Sequence, residues 1–438
     1  MHSIWQTNVT LPSFPPLSGD RRTEVLVIGG GLTGLLCTYF LQQAGIPCLL
    51  AEADTICSGV TQNTTAKVTS QHGLHYDGML RRFGVQRARL YLQANQAALA
   101  QFRKLSQQFP CDFVPEDSYV YARTGSKKLR RELQALDTLG GKAEWVSQLP
   151  LPFSVSGAVK FPNQARMHPL RLAAGISQRL PIAEHTRVLE LAPGQAKTHH
   201  GTIFAKKIIV ATHFPMLNKH GSYFLKLYQH RSYVLALSGA PSLSGMYVDE
   251  DPHGLSLRMQ GELLLLGGGS HRTGKRGGGW AELSALARQY FPEAQVCAQW
   301  ATQDCMSLDG VPYIGQYSAS TPDLFVATGF QKWGMTSGMV AAMLLTDLVQ
   351  GKSNPWEAVF SPSRSILHGQ LLCNAAETAC NLLRPTTPRC PHLGCALRWN
   401  PQERSWDCPC HGSRFSSTGQ LLDNPATGDL RRRPHSSR

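Results

Sequence analysis

Val25-Leu-Val-Ile-Gly-Gly-Gly-Leu-Thr-Gly34, continued by the apolar run Leu35 to Leu41, sets the architecture of this chain. A short apolar strand ends in a glycine turn, and a helical pattern starts directly after it. This is G-x-G-x-x-G in the context it requires, strand before and helix after. Gly29 allows the tight turn, Gly31 lets the backbone approach a pyrophosphate, and Gly34 lets helix and strand pack closely. The phosphates of a dinucleotide then rest on the amides of the helix N-terminus. A second apolar strand, Cys48 to Ala51, ends in Glu52, where a carboxylate accepts from ribose hydroxyls. A glycine turn without a ligand would need neither that second strand nor its acid.

Near the other end stand Cys390-Pro-His392-Leu-Gly-Cys395 and Cys408-Pro-Cys410-His411-Gly-Ser413. Cys-x-His followed by Cys-x-x-His supplies two thiolates and two imidazoles, the ligand set of a Rieske 2Fe–2S cluster. Cys390, His392, Cys408 and His411 are the expected ligands. Neutral imidazoles leave less negative charge on their iron, so the potential rises above that of all-cysteine clusters. A structural zinc site is the competing reading, but zinc fingers pair Cys with Cys and His with His. Here each box mixes the two.

Cys395 and Cys410 resemble the pair that forms a disulfide between the cluster loops of Rieske proteins, and Ser413 the residue whose hydroxyl bonds a bridging sulfide. Phe415 stands where high-potential members carry a tyrosine. Loss of that donor lowers the potential within the Rieske window of roughly −150 to +300 mV.

The stretch from about Glu24 to Pro362 resembles the glycine oxidase/D-amino-acid oxidase family of flavoproteins. The residues that carry the likeness are Cys57 to Ala66, Ile208 to Thr212, Asp309 to Gly315 and Phe325 to Phe330. The resemblance implies FAD as the dinucleotide, with Ser58, Thr64, Thr65, Val188, Gly329, Gly334, Met335 and Thr336 joining Gly29, Gly31, Gly34 and Glu52 around it. With the C-terminal boxes, the chain resembles bacterial FAD-dependent oxidoreductases that carry a Rieske domain.

The expected fold is α/β, a Rossmann-like FAD-binding domain, with an α+β substrate cap and a small all-β cluster-binding domain. The FAD-binding domain is expected to be discontinuous, over residues 1–76, 157–214 and 304–360. The cap would take 77–156 and 215–303, a connecting helix 361–383, and a reduced Rieske domain 384–438. Leu263 to Leu266 reads as a cap strand, and the following Gly267 to Gly274 as a cap turn rather than a second nucleotide loop.

The family implies oxidation of an amine or amino acid at its C–N bond. A flavin combined with a one-electron cluster implies that electrons pass singly between them, outward from the substrate or in the reverse direction. Cap residues that would face the flavin, for a carboxylate or a proton, are Arg231, Tyr233, Arg258, His271 and Arg272, with Lys332 and Trp333 beside the flavin helix. A different class is an electron-transfer or redox-sensing protein without small-molecule turnover, which would need no substrate chamber.

Composition narrows the partners. The chain has 438 residues, 42% hydrophobic content and a formal net charge of +14. No basic-aromatic stripe or helix-turn-helix pattern accompanies that charge, so nucleic acid is not expected. Leu430 to Pro434 is the dense basic run, and an acidic redox partner steered to the cluster fits better. The start lacks a basic and apolar leader, and Arg21-Arg22 leads straight into a strand rather than a translocation signal. Met339 to Val349 is too short to span a bilayer, so no membrane anchor is expected. The cysteines outside the boxes are scattered in mostly apolar contexts, which reads as buried free thiols in a reducing cytoplasm.

Overall fold

The computed structural model describes residues 3–217, 220–385 and 388–430, and the basic run Arg431 to Pro434 lies outside them. Three sheets form among those residues. The first runs Tyr313–Gln316, Leu324–Thr328, Gly201–Val210, Arg21–Ile28, Cys48–Ala51, Ile182–Ala183. Arg21–Ile28 pairs in parallel with Cys48–Ala51 on one side and Gly201–Val210 on the other. Val25 to Ile28 are all buried, as in a parallel strand covered on both faces. Helix Leu32–Gln43 makes the crossover and packs on helix Gly334–Val349. A Cβ at Gly34 would lie 1.8 Å from the Gly29 carbonyl oxygen, so only glycine lets helix and turn approach.

The second sheet runs Gln295–Ser307, Leu227–Ser238, Leu263–Arg272, Ser256–Gln260, Met246–Asp249, Val114–Ala122, Gly157–Arg166, Lys67–Val68. Two of these strands were expected in the nucleotide-binding part. Gly157–Arg166 pairs with Val114–Ala122 instead, and Lys67–Val68 pairs with Gly157–Arg166. Without them Val114–Ala122 would present a row of unsatisfied backbone groups. The glycines of Gly267 to Gly274 also differ from expectation. Most lie inside the strand Leu263–Arg272, where Gly269 adopts φ 60° beside an irregularity in the pairing with Leu227–Ser238. Helix Tyr76–Gln108 carries a break at Gly84, with φ 75°, and packs on helices Lys127–Leu139 and Gly334–Val349.

The third sheet is small and antiparallel: Arg398–Asn400, Ser405–Asp407, Arg414–Ser416, Leu421–Asp423. Its core is Cys390, Cys395, Leu397, Cys408, Cys410, Phe415 and Ala426. So few apolar side chains do not stabilise a domain alone. Docking on the second sheet supplies the rest. Helix Gly369–Leu383 leads into this unit. No helix among the described residues is long and apolar enough to cross a membrane.

Candidate functional site

A cavity of about 870 Å³ opens at the strand-to-helix turn and runs beneath the second sheet. Gly29, Gly31, Glu52, Ser58, Thr64, Thr65, Val188, Gly334 and Met335 all line it. Gly34, Gly329 and Thr336 do not. Gly34 is spent on helix packing, and Thr336 binds His72 Nε2 at 2.9 Å behind the wall.

The turn suits a pyrophosphate. A Cβ at Gly31 would meet only the Thr61 hydroxyl, at 3.5 Å, so its Cα faces open space that a side chain would fill. Glu52 accepts from the Gly30 amide at 2.5 Å and the Asp54 amide at 2.9 Å. Burial raises its pKa, and these amide bonds oppose the rise. The residues therefore fit FAD. Gly31→Val is expected to weaken FAD retention tenfold or more, about 1.4 kcal/mol, read as the flavin-to-protein ratio after gel filtration. Full flavin occupancy would place the nucleotide elsewhere.

At its other end the cavity is walled by strands of the second sheet. Tyr228, His230, Ser232, Ser270, Thr302, Asp304 and Met306 face it, with Lys332 and Trp333 from the turn before helix Gly334–Val349. Lys332 Nζ donates to Ser270 Oγ at 2.9 Å, the Ser270 and Ser232 hydroxyls lie 3.2 Å apart, and Ser232 Oγ donates to Asp304 Oδ2 at 3.1 Å. A cation and a half-buried carboxylate on the cavity wall are thus joined through two hydroxyls. Burial lifts the Asp304 pKa to about 6, against the pull of Lys332, and burial lowers that of Lys332. His72 stacks on Trp333 at 5.1 Å, and burial pushes it down to about 3, keeping it neutral.

Most of the expected cap residues point away from this cavity. Arg231 and Tyr233 reach across to Glu403 of the cluster unit: Arg231 Nε and the Tyr233 hydroxyl each donate to Glu403 Oε1 at 3.0 Å. Arg258 is fully buried and donates to the carbonyls of Thr65 and Met259. His271 bonds the Gly269 carbonyl and stacks on Tyr233. Arg272 donates to the carbonyls of Pro409 and Cys410, at 3.0 and 3.3 Å. Of the seven residues expected to face the flavin, Tyr233, Lys332 and Trp333 line the cavity. For Arg231 and His271 the reason is strand parity, because alternate residues face opposite ways, whereas Arg258 and Arg272 are drawn to backbone carbonyls.

That parity makes the sheet a shared wall. Tyr228, His230 and Ser232 look into the cavity, while Gln229, Arg231 and the Tyr233 hydroxyl hold the cluster unit behind it. A Cβ at Gly412 would fall 2.2 Å from Gln229 Cγ, and Gln303 Nε2 donates to the Gly412 carbonyl at 2.9 Å. The second cluster box is therefore pressed onto the sheet. Beside it, Thr212 and His213 line the cavity, and the next residue, Phe214, lies edge-on to both cluster histidines, 6.2 Å from His392 and 6.3 Å from His411.

The boxes themselves converge. The rings of His392 and His411 are 5.0 Å apart and perpendicular. His411 Nδ1 is buried without a hydrogen-bond partner, while its Nε2 donates to the Phe224 carbonyl at 3.0 Å. An orphaned ring nitrogen with its mate fixed by a carbonyl is the arrangement of a metal-ligating histidine. Cys390 and Cys408 are buried beside it, so the donor set fits a cluster. Cys395 and Cys410, expected as a disulfide, are free thiols here, their sulfurs within 4.8 Å of each other and of Cys408. Elsewhere the thiols do not all follow expectation: Cys297, Cys373 and Cys380 are exposed.

Sequence reasoning missed Asp304, His230, Ser232, Ser270, His72 and His213. Asp304, the one charged residue of the strand Gln295–Ser307, was the available signal.

Comparison with known proteins agrees with this division. The family model for FAD dependent oxidoreductase matches residues 24–348, and the Rieske [2Fe-2S] domain model matches residues 378–434. YhfW of Bacillus subtilis (strain 168), named as a Rieske 2Fe-2S iron-sulfur protein, is 35% identical over 98% of this chain and 97% of its own. Gamma-glutamylputrescine oxidoreductase of Escherichia coli (strain K12) is 22% identical over 79% of this chain and 88% of its own. Glycine oxidase from Geobacillus kaustophilus superposes with a TM-score of 0.68 at 21% identity, over 79% of this chain and all of that one.

Proposed function

The chain belongs to the FAD dependent oxidoreductase family and carries a Rieske [2Fe-2S] domain, and from that premise we propose that it oxidises an amine or amino acid at a C–N bond and sends the electrons out singly through the cluster. Bound flavin supplies two-electron oxidation, and the cluster supplies one-electron carriage. One observation carries the reading: a single sheet has the cavity on one face and the cluster unit on the other. Stacked sheets pack about 10 Å apart, so the thickness to be crossed is on that order, filled by protein rather than water.

The residues then take separate tasks. Gly29, Gly31 and Glu52 bind the dinucleotide. Asp304 holds the substrate's nitrogen end, and Lys332 an anionic group or the developing charge across the cavity. His230 and Ser232 orient what lies between them. Cys390, His392, Cys408 and His411 hold the cluster, and Gln229, Gln303 and Arg272 fix its second loop on the sheet. The relatives' names support the substrate class, since glycine oxidase and gamma-glutamylputrescine oxidoreductase both name amino compounds. Exposed thiols at Cys297, Cys373 and Cys380 suit a reducing, cytoplasmic setting.

Anaerobic screening of amines and amino acids tests this. A substrate bleaches the flavin and produces the rhombic resonance of a reduced Rieske centre. A full screen with no bleaching would leave the relay without turnover as the better reading.

The titration of Asp304 gives a second check. Its pKa is raised, so the carboxylate is lost as pH falls through about 6. With Asp304 anionic in the productive complex, kcat/KM is expected to fall tenfold per pH unit below that value and to level off above it. Asp304→Asn removes that limb and lowers kcat/KM at least tenfold at pH 8, about 1.4 kcal/mol. An unchanged acid limb in Asp304→Asn would assign the titration to another group.

A further inference from the structure

The helix Gly369–Leu383 is folded inside out. Its buried residues are Asn374 and Asn381. Asn374 accepts from Arg272 Nη1 at 2.9 Å, Asn381 bonds Glu377, and Glu377 pairs with Lys275, all on the side toward the protein. The opposite side is apolar and bare. Leu372 is 74% exposed and Leu383 83%, and Ala376 and Ala379 between them are exposed too. A helix that satisfies its polar face inside and offers its apolar face to water is the reverse of the usual arrangement.

The order of those exposed residues identifies what covers them. Leu372, Ala376, Ala379 and Leu383 are spaced four, three and four, the a/d spacing of a coiled-coil seam. The seam is also a palindrome, reading Leu-Ala-Ala-Leu at the same spacing from either end. Two such helices laid antiparallel about a two-fold axis match residue for residue, which is the self-complementarity an isologous contact requires. The central alanines let the axes approach, and the leucines close the ends. Flanking residues follow the same symmetry: Ala375 falls opposite Cys380 of the other copy, and Cys373 opposite Leu382. Glu377 is turned inward onto Lys275, so no like charges meet at the axis. Leu367, 83% exposed, and Leu393 of the first cluster box, 39% exposed, lie at either end of the helix and widen the face.

We propose that this face pairs with a second copy of the same chain, making the protein a two-fold dimer through antiparallel packing of Gly369–Leu383. Such a contact sits beside the cluster, since Leu382 lies against Gly394 of the first box. It leaves the cavity and the shared sheet untouched. The assignment depends on neither the substrate nor the electron route.

The test uses the full chain with both cofactors bound. Light scattering across protein concentration is expected to give twice the chain mass, shifting to one chain mass in Leu372→Glu/Leu383→Glu with flavin and cluster absorbance unchanged. Ala375→Cys is expected to cross-link to Cys380 of the second copy under mild oxidant, and Thr378→Cys, on the inward side, is not. The cross-link requires no destabilising substitution, so it stands even where the double glutamate variant fails to fold. A parent that stays at one chain mass at every concentration overturns the proposal. So does a dimer that survives the double variant without the Ala375→Cys cross-link, or a parent whose apolar helix binds neutral phosphatidylcholine vesicles as a monomer.

Discussion

Replacing Glu403 by alanine is expected to destabilise the protein by about 3–5 kcal/mol and to loosen the cluster unit from the second sheet, because it leaves a buried charge without its partner. Glu403 is 9% exposed, between Arg231 at 4% and Arg414 at 7%. Arg414 also binds Asp407 and Asp423, at 3.1 and 2.8 Å, so it keeps two carboxylates when Glu403 is gone. Arg231 has no other ion pair among the described residues, and its guanidinium would be stranded behind the cavity wall. The damage therefore arises on the sheet rather than within the cluster unit. A second variant separates pairing from packing. Arg231→Met/Glu403→Met removes both charges and is expected to be less destabilised than Glu403→Ala, since apolar groups of similar size replace a buried pair at little cost. Denaturation midpoints of the two variants check this, and equal midpoints would mean that Arg414, not Arg231, sets the penalty. The pH dependence has a definite sign. The two guanidiniums hold the Glu403 pKa below its ordinary value despite burial. Its stabilising share is therefore present above the unfolded-state pKa and lost as pH falls through the lowered one. Docking should survive through neutral pH and fail only in acid below the ordinary glutamate range.

What could be read before the structure divides along a physical line. Local geometry fixed by covalent spacing was legible: the Gly29 to Gly34 turn, Glu52 at the end of its strand, and the convergence of the boxes at Cys390 and Cys408. Each depends on neighbours within a few positions, where geometry follows from the chain. The direction of side chains on Leu227–Ser238 was not legible. A strand with buried residues on both faces shows no clean alternation, and Arg231 and Tyr233 look as plausible for the cavity as His230 and Ser232. A shift of one residue exchanges the two faces, and tertiary packing alone chooses between them. The glycines of Leu263–Arg272 misled for a related reason. Glycine at 267 and 268 reads as a turn, yet a Cβ at Gly267 would come within 2.7 Å of Ser256 Oγ, and one at Gly268 within 3.0 Å of Leu255 Cδ2. Close packing demands small residues there, and sequence cannot separate that demand from a bend. The two strands Lys67–Val68 and Gly157–Arg166 went to the other sheet because hydrogen-bond pairing between distant segments leaves no local trace.

Cys408→Ser is expected to uncouple oxidation from electron exit. A serine hydroxyl is a poor substitute for a thiolate ligand, so the iron content should fall toward zero. The loop should keep its shape, because its backbone is closed by bonds that do not involve the sulfur. The Cys408 amide donates to the Ser413 carbonyl at 2.8 Å, and the Gly412 amide to the Cys408 carbonyl at 2.9 Å. Gln303 and Arg272 continue to hold Gly412, Pro409 and Cys410 against the sheet, so the cavity wall is not disturbed. FAD should stay at one per chain, and a substrate that bleaches the flavin anaerobically should bleach it still. On the proposed route, reduction of a one-electron acceptor should fall tenfold or more, because an exit through the wall at Gln229, Phe214 and Gln303 would have lost its terminus. The two readouts fail differently. Acceptor reduction as fast as in the parent would sink the relay while leaving the oxidase intact. Loss of FAD together with iron would instead mean that the shared sheet ties the two sites into one folding unit, and the electron route would then be tested in Phe214→Leu, which keeps both donor sets and removes the ring between the cavity wall and the two histidines.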